Sequence, residues 1–146
     1  MKNIIILFAL LSLSCCDISK PMKKVKSARN IRLIKVEATP TLPDQQNPDK
    51  KYILDYEISR EIDLTFAEKR DLKKELTNKE NYTTENTKKC PFMAQYIVSV
   101  DEQHFMVLSL SPCGKVIISD RNTALEERFE LTDGNSLEKI IQNIDK

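Results

Sequence analysis

The chain has 146 residues, enough for one domain, and its formal charge of +1 balances 23 basic against 22 acidic side chains. Charged residues make up 31% of it, too many for a body embedded in a membrane. Two glycines, Gly114 and Gly134, leave no room for a glycine-rich phosphate loop.

Lys2 precedes an apolar run from Ile4 to Leu13 that is apolar on every side and has no cap. Its length suits a signal-peptide core, whereas a bilayer-crossing helix takes about 20 apolar residues. Leu11-Ser12-Leu13-Ser14-Cys15 resembles a bacterial lipobox, in which small residues precede a cysteine that is lipidated on sulfur and becomes the new N-terminus. Cys15 has Ser14 just before it but Ser12 where the pattern prefers Leu. Cys16 gains Leu13 in that place but has Cys15 in the small-residue position. Cys15 is favoured, Cys16 is the alternative, and ordinary cleavage with release is the next reading. Each buried methylene of such a lipid contributes about 0.8 kcal/mol, and more than one chain makes the anchor lasting. Residues 1–15 are therefore expected to be a lipoprotein-type signal peptide.

Charge is unevenly placed. Lys20, Lys23, Lys24, Lys26, Arg29, Arg32 and Lys35 stand together without an acid. Lys2 and these seven account for eight of the 23 basic residues, and only Asp17 of the 22 acids lies before Val36, so the chain from Val36 onward carries 15 positives and 21 negatives, a net −6. Residues 16–30 are expected to form a basic tether, either lying on anionic headgroups or solvated, with residues 31–146 as a single domain. An acidic body, and a basic run without interleaved aromatics, argue against nucleic acid as a partner.

Within the domain, Asn30 to Thr39 alternates as a strand does. Pro40, Pro43 and Pro48 mark a loop. Tyr52, Leu54, Tyr56 and Ile58 recur every second residue, predicting one half-buried strand. Thr65-Phe66-Ala67-Glu68 has the form of a capping box and predicts a helix to about Asn78, whose narrow face of Ala67, Leu72 and Leu76 suits a place on the sheet's edge. Asn78 to Lys89 reads as a loop. Ala94–Val100 and His104–Leu110 predict a central hairpin about Asp101-Glu102-Gln103, Lys115–Asp120 a further strand, and Arg128–Leu131 a short last one. Leu137, Ile140, Ile141 and Ile144, behind Asn135-Ser136, predict a short amphipathic helix. The expected fold is α+β: a small antiparallel sheet with a helix before the central hairpin and a short C-terminal helix.

Cys90 and Cys113 mirror one another about the hairpin turn, their midpoint falling between Asp101 and Glu102. Opposed Cβ atoms lie about 4.5–5.5 Å apart in such a hairpin, close to disulfide range. A disulfide is expected, contributing on the order of 3 kcal/mol. Asp-Glu is a poor two-residue turn, so a longer loop could shift the register by a residue or so. Zinc needs about four ligands in a structural site, and the domain has two cysteines and His104 without a CxxC. His104 and Cys113 lie nine residues apart, about 30 Å if extended, which argues against a nucleophilic pair. His104 is read as a surface or half-buried polar residue, and Glu126-Glu127 as a solvated face. No catalytic constellation, metal or cofactor is expected.

With Tyr82, Cys90, Phe92 and Cys113 in place, the segment from Leu76 to Asp120 resembles a loose class of small uncharacterised exported bacterial lipoproteins with two cysteines flanking a β-hairpin. That resemblance implies no activity. The expected function is a membrane-anchored binding or structural module of the cell envelope, facing the periplasm or the cell exterior and held by its lipid, with another envelope protein as partner. The alternative is a periplasmic inhibitor or immunity protein that blocks a hydrolase through residues 77–89 or 101–104.

Overall fold

The structure is a computed structural model and describes residues 19–123 and 126–146, so Cys15 and Cys16 lie outside the described residues. Along the chain run α1 (Ser19–Ser27), β1 (Ile31–Val36), β2 (Tyr52–Ile53), β3 (Tyr56–Ile62), α2 (Phe66–Leu76), β4 (Tyr82–Thr83), β5 (Tyr96–Val100), β6 (His104–Ser109), β7 (Lys115–Asp120), β8 (Glu126–Leu131) and α3 (Ser136–Ile144). The strands form one sheet of eight in the order β2-β3-β1-β5-β6-β7-β8-β4. Every pairing described is antiparallel.

The α+β expectation of a small sheet with two helices is corrected. The sheet is large and dominates the fold, and it carries three short helices. Two features of the sequence hid this. The alternation through Tyr52–Ile58 is a hairpin and not one strand: Leu54 and Asp55 turn the chain at φ 49° and 66°. Such a turn favours Asn-Gly, and neither residue is present to announce it. At the far edge, β4 has only two residues inside a polar stretch, and its pairing of Tyr82 with Leu131 comes from tertiary contact.

Helix α1 occupies residues expected to be tether. Met22, Val25 and Ala28 recur every third residue and are buried in the main core, while the intervening lysines face out. Pro21 sits in the first turn, where its missing N–H costs no helical bond. Helix α2 starts with the capping box foreseen for it: Thr65 accepts from the Glu68 N–H, and the Glu68 carboxylate accepts from the Thr65 N–H at 2.8 Å. It does not rest on an edge, however. Leu72 and Leu76 are fully buried, because α2 contacts both α1 and α3. The three helices cover one face of the sheet, closing over Leu33, Val98, Met106, Leu108, Val116 and Phe129.

The C-terminus is fastened to the middle of the sheet. The Asp145 side chain is 8% exposed and accepts from Lys35 Nζ at 2.7 Å, from the Tyr96 hydroxyl at 2.6 Å and from Arg60. Burial pushes its carboxyl up, but the hydrogen bonds from Lys35, Tyr96 and Arg60 outweigh that and hold it below the ordinary carboxylate range. Burial, with the Asp145 carboxylate beside it, pushes the Tyr96 hydroxyl well above the ordinary tyrosine range.

Candidate ligand-binding cleft

The second face of the sheet is lined by Ile34, Val36, Ile97, Phe105 and Val107, with Ile53, Tyr56, Ile58 and Ile117 packed against them. Strand alternation sends Arg32 to the same side as Ile34 and Val36. A row crosses this face, each member directly opposite the next: Arg32 on β1, Ser99 on β5, Phe105 on β6 and Ser119 on β7. Three of the four bear a buried polar atom without a hydrogen-bond partner among the described residues: Arg32 Nε, Ser99 Oγ and Ser119 Oγ. A buried donor left unpaired costs about 1–3 kcal/mol. Three in one row mark a part of the sheet not built for stability alone.

Over the Arg32 end of this row lies a cleft of about 480 Å³. Its walls come from separate elements. The β2–β3 hairpin supplies Tyr52, Ile53 and Leu54, the sheet supplies Arg32, Ile34 and Phe105, and the rim carries Lys51, Glu61, Glu102 and Arg121. The Arg32 guanidinium is loosely held: its terminal nitrogens stand 3.6 Å from Glu61 Oε1 and 3.8 Å from Glu102 Oε1, beyond hydrogen-bond distance. Both carboxylates are about half exposed or more, at 51% and 66%. Three cations against two acids line the cleft. Its volume falls within the roughly 300–1,000 Å³ typical of small-molecule sites, and its lining is divided about evenly between apolar wall and polar or charged groups. No protein family, curated protein or solved structure matches the chain.

The residues singled out in the sequence lie elsewhere. Cys90 and Cys113 are joined, with Sγ atoms 2.05 Å and Cα atoms 5.9 Å apart. Neither lies on a strand. The hairpin pivots on Glu102, with Val100 opposite His104 across a three-residue turn, so the two cysteines are one residue out of mirror register. Asp101 and Glu102 take φ 49° and 59° in that turn. The Asp101 carboxylate accepts from the N–H of Asn30 at 2.8 Å and of Arg29 at 3.1 Å, tying the turn to the start of β1.

His104 is half-buried. Its Nδ1 lies 3.1 Å from Asp120 Oδ2, which also accepts from Lys24 Nζ at 2.8 Å. The Lys24 hydrogen bond, helped by the Asn122 N–H and the nearby imidazole, holds the Asp120 carboxyl below the ordinary range. These groups border a smaller cavity of about 240 Å³ between α1 and the sheet, floored by Val25, Val100, Met106 and Ile118. Glu126 is exposed as expected, but Glu127 lines this cavity, and its Oε2 is buried without a partner among the described residues. Among the described residues, no three His, Cys, Asp or Glu side chains are grouped to hold a metal ion, and no helix is long and apolar enough to cross a membrane.

Arg32 escaped notice in the sequence because it stands sixth among seven consecutive basic residues, where it counts as one more charge. The signal that could have found it is its parity with Ile34 and Val36, which places a guanidinium on an apolar strand face.

Proposed function

We propose that the chain is an exported lipoprotein of the bacterial cell envelope, lipidated at Cys15 or Cys16, and that it acts as a binding module whose ligand occupies the Arg32 cleft. The under-satisfied guanidinium in a preformed cleft, beside an apolar wall of Ile34, Ile53 and Phe105, is the observation that carries the binding role. The apolar leader and its lipobox-like end support the anchor. Cys15 stands four positions before Ser19, the first residue of α1, at most about 14 Å of extended chain. Anchored there, the domain would sit close to the headgroups, with Lys20, Lys23, Lys24, Lys26 and Arg29 on its exposed near side. Each basic residue near an anionic surface contributes on the order of 1 kcal/mol.

Two measurements test this. The intact mass of the mature protein should correspond to a chain starting at Cys15 or Cys16 with acyl chains attached; a start beyond residue 16, or no acyl mass, removes the anchor. Photo-cross-linking from the cleft rim in intact envelopes should capture a molecule whose yield falls in Arg32→Gln. Equal yield in the variant refutes the cleft. Capture of a hydrolase that the chain inhibits in a one-to-one complex would replace the binding module with an inhibitor.

A further inference from the structure

We infer that the cleft takes an amphipathic monocarboxylate, its carboxylate on the Arg32 guanidinium and its apolar or aromatic body against Tyr52, Ile53 and Phe105; this rests on the binding role proposed above.

The charge points to a single anionic group. Arg32, Lys51 and Arg121 face two acids, an excess of one cation. Arginine presents a planar fork that matches a carboxylate, and here that fork lacks good partners: Nε has none among the described residues, and the terminal nitrogens are held beyond hydrogen-bond distance. Glu61 and Glu102 are exposed enough to swing into water when a ligand carboxylate replaces them. The same two acids would repel a ligand with several negative charges, which disfavours polyanions.

Independent support comes from the hairpin tip. Leu54 holds φ 49° while lining the cleft, with 38% of its surface exposed. A left-handed conformation is costly for leucine and natural for asparagine or glycine. A large apolar side chain kept in a strained turn, at the mouth of a cleft, is accounted for if it closes over an apolar body.

The test is calorimetric titration of the mature protein in lipid nanodiscs, with empty nanodiscs as blank, using 3-phenylpropanoate, 3-phenylpropanol and 3-phenylpropylamine as probes. The carboxylate is expected to bind at least about tenfold more tightly than either the alcohol or the amine. Arg32→Gln should abolish that preference. Leu54→Asn should weaken carboxylate binding while raising the thermal midpoint of unfolding, so that the loss cannot be blamed on misfolding. Equal binding of the three probes overturns carboxylate recognition yet leaves a ligand cleft in place. Binding of the amine in preference does the same. If the wild-type protein binds none of the three, the ligand class is wrong, and the cross-linking yield in Arg32→Gln still decides separately whether the cleft is used. Undiminished carboxylate binding in Leu54→Asn also overturns the arrangement.

Discussion

Asp145→Asn should cost about 2–3 kcal/mol of folding stability, although the residue is next to last in the chain. The carboxylate receives three donors, from β1, β3 and β5, and so ties the end of α3 to three adjacent strands. Hydrogen bonds to a charged group contribute about 1.5–3 kcal/mol each. A sum of three would overstate the effect, because Lys35 and Arg60 are 44% and 55% exposed and recover water when the charge is lost. The Tyr96 residue is only 8% exposed, so its hydroxyl keeps an acceptor only if the amide oxygen turns towards it, which presents the amide N–H₂ to a cation. Urea unfolding followed by far-UV circular dichroism measures the change, with the midpoint lowered and the slope unchanged. The pH dependence follows from the lowered carboxyl. Its stabilisation is complete above the ordinary aspartate range and is lost as pH falls through the lower folded-state value. The variant should therefore lose less stability than wild type over that acid window. At the alkaline end the raised Tyr96 acts oppositely: as pH rises through the ordinary tyrosine range, the unfolded chain releases a proton that the folded one keeps, and stability falls. A cost below about 0.5 kcal/mol, or an unchanged acid limb, would refute the role given to Asp145.

Cys90→Ser and Cys113→Ser should each destabilise by roughly 2–5 kcal/mol, and the double variant little further, since either removes the same cross-link; peptide mapping without reduction identifies the bond, and free alkylation of both thiols in the native protein would disprove it. Leu72→Ala should cost about 2–5 kcal/mol by equilibrium unfolding, as befits a fully buried leucine under three helices. A cost under about 1 kcal/mol would return α2 to the sheet's edge.

What could be read in advance had local causes. The capping box at Thr65, the Asn135 cap of α3 and the alternation through β5, β6 and β7 are written in residues next to one another, and each element formed close to its expected place. The misses came from two directions. In and after α1, seven positives between Lys20 and Lys35 mask the three-residue spacing of Met22, Val25 and Ala28. In β4 and the β2–β3 turn, the conformation is imposed from a distance, and Tyr82, Leu54 and Asp55 carry no local mark of it. The candidate site was hidden for a related reason: Arg32 acquires its surroundings from Tyr52, Phe105 and Arg121, which only the folded sheet brings together.

The position of β1 governs how the chain reaches its final state. Among the described strands it is the first in chain order, yet it lies between β3 and β5 and joins the β2–β3 hairpin to the β5–β8 meander. Ile31 must wait for Val100 before that seam closes. Topologies dominated by such distant pairings close over roughly milliseconds to seconds, far slower than helical bundles. A chain made N-terminus first thus holds this strand unmatched on one edge until β5 has been added. That edge stays open until the partner nearly seventy residues behind arrives to cover it.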